Sequence, residues 1–124
     1  MEFVKYGEKN IRIIKAREIS DTVEKLFVKA NYSLTCDVTN AIASAKEKER
    51  NPLAKAVLSR LCDNVSAAKE IDVPVCQDTG MAVIFAYVGD RVFVDGNLEN
   101  AINEGVRRAY VDGALRLSVV RDPL

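Results

Sequence analysis

Pro74-Val75-Cys76-Gln77-Asp78-Thr79-Gly80, followed at once by the apolar run Met81-Ala82-Val83-Ile84-Phe85-Ala86-Tyr87-Val88, is the stretch around which this chain is organised. Between a proline and a glycine it sets a thiol, an amide, a carboxylate and a hydroxyl on consecutive residues. Pro74 fixes its own φ and pushes Asp72-Val73 toward extended geometry, while Gly80 permits a backbone angle that other residues resist. Ordinary connections are made of Gly, Pro, Asn, Asp and Ser and seldom put Cys-Gln-Asp together. The turn reads as the site. It also divides the chain, because a helical pattern precedes it and a strand pattern follows.

Working back from the turn, Leu53, Val57, Leu58, Leu61, Cys62, Val65 and Ala68 recur at helical spacing and predict a helix over 53–70. Asn51-Pro52 opens it, with proline near the first helical position, where its missing N–H costs nothing. A second helix is predicted over 36–49, capped by Thr35, with Asp37 at its positive end and Val38, Ala41, Ile42 and Ala45 as its apolar stripe. The run Lys46-Glu47-Lys48-Glu49-Arg50 reads as its solvated tail. A third is predicted over 17–33, where Ile19, Val23, Leu26, Phe27 and Ala30 share a face and Ser20 and Asp21 suit the N-terminal end. Residues 1–15 are mixed, and Ile11, Ile13 and Ile14 hint at a short strand or an arm.

Working forward, 82–88 and 91–94 read as a β-hairpin closed by Gly89-Asp90. Asp95-Gly96-Asn97 breaks the sheet and caps a helix over 97–111, whose buried face is Leu98, Ala101, Ile102, Gly105, Val106, Ala109 and Tyr110. Asp112-Gly113 ends it, and 114–120 reads as a final strand. Helices followed by a hairpin, a helix and a strand make an α+β fold. A strand with nothing after it to pack on it suggests the N-terminal portion of something larger, in which 1–124 forms a single domain.

Composition narrows the function. The chain has 124 residues, 48% of them hydrophobic but only 6% aromatic, so its core is built of small and aliphatic side chains. Its 18 basic and 18 acidic residues cancel. That balance gives no footprint for nucleic acid and no basic face for a membrane surface. No apolar run is long enough to span a bilayer, and the N-terminus lacks a signal peptide's apolar core. Three cysteines, an odd count, argue against a disulfide framework and for the cytoplasm. The sequence contains no His, which removes Ser-His-Asp and Cys-His mechanisms within this chain. Cys62, inside an apolar stripe, reads as a small buried hydrophobe, and Cys36, in a helix's first turn, reads as structural.

Two chemistries compete for the turn. Asp78-Thr79-Gly80 ahead of an apolar strand resembles the catalytic turn of aspartic proteases, where two chains share a proton between carboxylates. That fold is nearly all strand, whereas here the turn follows a long helical region. The other chemistry rests on Cys76, a thiol on a stiff turn that suits a nucleophile or a soft-metal ligand. With no His to act as base, metal ligation is the simpler use. An iron–sulfur cluster needs only thiolates, but one cysteine does not hold a cluster.

The segments Pro74–Gly80, Gly105-Val106 and Leu115-Arg116-Leu117-Ser118-Val119-Val120-Arg121-Asp122-Pro123-Leu124 together resemble the α region of class I fumarate hydratases and the related L-tartrate dehydratases. The likeness extends to Asp37-Val38 and the Glu49–Leu53 junction, and the Cys-Gln-Asp-Thr-Gly turn is highly specific. The resemblance implies an oxygen-sensitive hydro-lyase that interconverts fumarate and L-malate, a reaction of the tricarboxylic acid cycle. It implies that Cys76 is one of three thiolates on a [4Fe–4S] cluster with one open iron, and that Gln77, Asp78 and Arg116 bind the dicarboxylate substrate.

Those residue types suit the reaction. An iron without a protein thiolate is a Lewis acid for a departing hydroxyl. Proton removal beside a carboxylate builds negative charge there, which a guanidinium holds in a two-pronged fork. The resemblance also implies that the other two cluster cysteines lie beyond this chain, since Cys36 and Cys62 precede the motif and do not match them. The catalytic base and further substrate contacts are expected from a β subunit or a fused β domain, in an oligomer. Alone, this chain should carry no cluster and be inactive. L-tartrate dehydratase is the alternative within the family, and a non-catalytic binding or assembly module is the alternative outside it.

Overall fold

Gly7, at φ 60°, opens a two-residue turn in the N-terminal stretch that periodicity only hinted was a strand. In the structure, a computed structural model that describes residues 2–76 and 81–118, strands β1 (Glu2–Tyr6) and β2 (Lys9–Lys15) pair antiparallel, with Tyr6 opposite Lys9 and Phe3 opposite Arg12. The described residues add helices α1 (Ala16–Tyr32), α2 (Cys36–Lys48) and α3 (Pro52–Ile71), strand β3 (Val92–Asp95) and helix α4 (Leu98–Asp112). The fold is α+β. All four predicted helices are present, with ends within about two residues of expectation. The chain divides into two compact units, one of residues 1–28 with 80–124 and one of residues 29–79.

In the first unit the sheet order is β1-β2-β3, and β2 and β3 run parallel, Arg12 beside Val92 and Ile14 beside Val94. The predicted hairpin is therefore corrected. Its second arm exists as β3, but 82–88 carries no strand. The Gly89-Asp90 turn does form, Val92 N–H donating to the Gly89 carbonyl at 3.2 Å. β3 then finds its ladder with β2, a partner far away in sequence. Ile84, Ala86, Tyr87 and Val88 instead bring apolar side chains to a cavity on the sheet face, with Ile14, Val92 and Val94. Periodicity registers an extended apolar run but not whether it pairs at an edge or lies over a face.

Helix α4 packs on α1 through small residues. Ala101, Gly105 and Ala109, one turn apart, are buried, as the predicted stripe required. A Cβ on Gly105 would lie 2.6 Å from the Ser20 carbonyl oxygen, so the helices touch backbone to backbone. Ser20, expected near the start of its helix as an end residue, is buried here. Its hydroxyl donates to the Ala101 carbonyl at 2.8 Å, which satisfies a polar group inside the contact. Phe27 and Tyr110 extend the contact with ring centroids 6.3 Å apart.

α4 closes by wrapping back on itself. Leu115 N–H donates to the Tyr110 carbonyl at 3.0 Å and Ala114 sits at φ 52°. This is the six-to-one closure of a Schellman motif, with Ala in the left-handed position that usually holds Gly. The strand predicted for 114–120 does not form over 114–118, and 119–120 lie outside the described residues. Leu115 is buried, ending the helix as a plug, and Ser118 N–H returns to the Arg116 carbonyl at 3.1 Å in place of a ladder bond.

In the second unit α2 and α3 form a helical pair joined by a three-residue connection that satisfies its own backbone. Glu49 Oε1 accepts from the N–H groups of Arg50 and Asn51, each at 2.8 Å, and Asn51 Oδ1 accepts from Leu53 N–H at 2.9 Å. Asn51 is thus the cap of α3. Thr35 stands at the cap position of α2, but its side chain makes no capping hydrogen bond. A hydrogen bond from the Thr35 hydroxyl, helped by the Val38 N–H, holds the Asp37 carboxyl below the usual carboxylate range. Cys62 is half-buried and lines a groove with Ile42 and Val65, close to its expected hydrophobic role.

Candidate functional site

The path into the central turn is built by α3. The helix ends with Asp72 in the left-handed region at φ 54°, and Val73 N–H donates to the Ala68 carbonyl at 3.1 Å, again a six-to-one closure. Asp72 is thus not extended, as expected ahead of Pro74, because proline restricts only its immediate neighbour. The chain then passes back beside the helix. Val75 is held on both sides: its N–H donates to the Asn31 carbonyl at 2.9 Å, and its carbonyl accepts from Asn64 Nδ2 at 2.7 Å. Cys76 follows directly, with an exposed side chain. Gln77 and Asp78 lie outside the described residues.

Arg116 stands in the first unit, just after the closure of α4 and next to buried Leu115; its own side chain is exposed. The segments that flank the two motifs meet here. Met81 and Ala82, which leave the central turn, and Leu117 and Ser118, which follow Arg116, line one cavity of about 320 Å³ with Val106, Arg107 and Tyr110 of α4. That volume is at the lower end of small-molecule pockets, roughly 300–1,000 Å³. Arg107 grips Glu104 with two prongs, Nε to Oε2 at 2.8 Å and Nη2 to Oε1 at 2.7 Å. The pairing lowers the Glu104 carboxyl and raises the Arg107 guanidinium, so this cation is already balanced at the cavity wall. Cys76 belongs to the second unit and Arg116 to the first, each fixed within its own.

No group of three or more Cys, Asp or Glu side chains lies close enough to hold a metal among the described residues. The donor set available is one exposed thiol on a backbone fixed at the preceding residue, which fits a single thiolate ligand. Sequence reasoning missed Asn64 and Asn31 as the holders of this segment. Asn64 left a faint trace, being a poor helix former in the interior of a 20-residue helix. No described helix is long and apolar enough to cross a membrane.

Comparison with known proteins supplies the context. Residues 20–124 match the model of the family described as fumarate hydratase (fumerase). A Methanocaldococcus jannaschii protein, provisionally named L(+)-tartrate dehydratase subunit alpha, is 36% identical over 105 residues, which is 83% of this chain and 37% of that protein. The L(+)-tartrate dehydratase subunit alpha of Escherichia coli K12 is 31% identical over 84 residues, 68% of this chain and 28% of that protein. The chain therefore spans about a third of the length of these curated relatives.

Proposed function

Because this chain belongs to the fumarate hydratase (fumerase) family, a family of hydro-lyases, we propose that it is the N-terminal portion of the α region of an iron–sulfur hydro-lyase that hydrates fumarate to L-malate. The observation that carries this reading is the shared cavity: the residues that leave the Cys-Gln-Asp-Thr-Gly turn and those that follow Arg116 line one pocket. In this reading Cys76 gives one thiolate to a [4Fe–4S] cluster whose other cysteines lie elsewhere in the enzyme. When bound, the cluster supplies a Lewis-acid iron for the hydroxyl that leaves as water. Arg116 clasps a substrate carboxylate and neutralises the charge that builds on it when the neighbouring proton is removed. Gln77 and Asp78 orient the hydroxyl and the second carboxylate. A β subunit or β domain provides the base. Reducing cytoplasmic surroundings keep the Cys76 thiol available.

L-tartrate is a second substrate reading, favoured by the names of the relatives, which are tartrate dehydratase α subunits. The experiment is anaerobic iron and sulfide analysis, with turnover of fumarate and of L-tartrate, on the full-length α chain assembled with its β partner. A Cys76→Ser version is measured beside it. Cluster iron in the native complex, lost together with hydration in the variant, supports the proposal. A folded, colourless complex, or a variant that keeps its iron and its activity, overturns it. The preferred substrate is read from the ratio of kcat/KM values.

A further inference from the structure

Asn64 touches the central turn by a single bond, yet that bond is aimed at the peptide that carries Cys76. Its Nδ2 donates to the Val75 carbonyl at 2.7 Å, and the side chain springs from the middle of α3, whose two ends are closed by Asn51 and by the left-handed Asp72. The Val75 carbonyl and the Cys76 N–H belong to one trans peptide, since the described chain contains no cis bond. Fixing the carbonyl toward α3 therefore fixes the Cys76 N–H pointing the opposite way. Val75 N–H is anchored on Asn31 at 2.9 Å, so rotation on either side of Val75 breaks a hydrogen bond. What remains free at Cys76 is its own φ and the rotation of its thiol.

We infer that Asn64 is a positioning residue that aims the Cys76 thiol, setting the direction in which a metal ligand leaves the backbone. The inference rests on Cys76 being a cluster ligand. Asn64 would touch neither cluster nor substrate; it acts through the Val75–Cys76 peptide. Its position argues against a merely structural use. The side chain is solvent-exposed, and in a helix interior Asn is less favourable than Ala. Asn64→Ala therefore regains through helix propensity much of what the lost bond costs, while it loosens the thiol. A net hydrogen bond of this kind corresponds to roughly a fivefold change in a local opening equilibrium.

The test uses the full-length α chain assembled with its β partner, as native protein and as Asn64→Ala and Asn64→Asp. The second variant keeps the shape but removes the donor. Asp63→Asn, one residue away on the same helix, is the control. Two quantities are read: hydrogen exchange of the Val75 amide in the metal-free protein, and the rate at which a chelator strips iron from the loaded protein. The expected result is exchange and iron loss both faster by about fivefold in the two Asn64 variants, with melting of Asn64→Ala near native because propensity offsets the lost bond, and the control native. Native rates in both variants of a protein that does load iron overturn the inference and leave the cluster reading standing. If the native protein holds no iron, the cluster reading fails instead, and native exchange at Val75 would then sink the positioning role as well.

Discussion

Replacing Gly105 by Ala tests the closest helix contact in the molecule. The added Cβ would lie 2.6 Å from the Ser20 carbonyl oxygen, 2.7 Å from Val23 Cβ and 2.9 Å from Val23 Cγ1. Two of those atoms are a backbone oxygen and a side-chain branch point, neither of which can swing aside alone. Overpacking of this kind costs roughly 1–3 kcal/mol, and fixed obstacles put the cost near the top of that range. Alanine returns about 1 kcal/mol through its better helix propensity. The net loss is about 2 kcal/mol, or roughly an 8 °C lower melting temperature for a chain of this size. Far-UV circular dichroism, melted thermally and in urea, reads both. Gly89→Ala is the control, because its nearest neighbour is Val92 Cγ2 at 4.0 Å, and it should be neutral or stabilising by up to about 1 kcal/mol. A Gly105→Ala chain that melts at or above the native temperature would refute the backbone-to-backbone packing of α1 on α4.

Ala114→Gly should stabilise the chain by about 0.5 kcal/mol, because relief of roughly 1–2 kcal/mol of left-handed strain at φ 52° outweighs the added freedom of the unfolded chain. A lower urea midpoint would count against the α4 closure. Arg108 Nη2 reaches Asp21 at 2.7 Å and Glu24 at 3.1 Å, and its hydrogen bond holds the Asp21 carboxyl below the usual range. A carboxyl depressed in the folded state adds stability above its unfolded pKa and loses it as pH falls through the folded value, so the loss should begin below about pH 4. Arg108→Met should flatten that acid limb of the urea midpoint against pH, and an unchanged limb would show that the bridge does not link to folding.

All four helices were legible from their apolar period, and α3 and α4 also carried their own punctuation. Asn51-Pro52 and Asn97 cap α3 and α4, and the stripe from Leu98 to Tyr110 is buried or half-buried throughout. What periodicity could not supply was pairing between distant residues. β3 reads as a strand in isolation, but that its neighbour is Arg12–Lys15 depends on a crossover of some eighty residues. Asp112-Gly113 reads as the end of α4, which it is, but the left-handed residue of the closure is Ala114, followed by buried Leu115, and no local signal marked it. At the candidate site, the thiol and the guanidinium were read from local motif and resemblance. The hold of Asn64 and Asn31 on Val75 was not, since it joins three segments that share no sequence signal.

The two six-to-one closures also bear on the order in which the molecule assembles. Each joins residues five apart, Ala68 with Val73 and Tyr110 with Leu115, so neither waits for a distant partner. Contacts this local form early, whereas the β2–β3 ladder must first close a long loop. Cys76 and Arg116 each follow such a closure within four residues. The exit of each motif from its helix is therefore begun by the last turn of that helix, early in folding and independently of the sheet, and at Cys76 the bonds of Val75 to Asn31 and Asn64 complete it. A ligand that later docks at either motif meets a helix end already closed, so less of its binding energy goes into ordering that backbone.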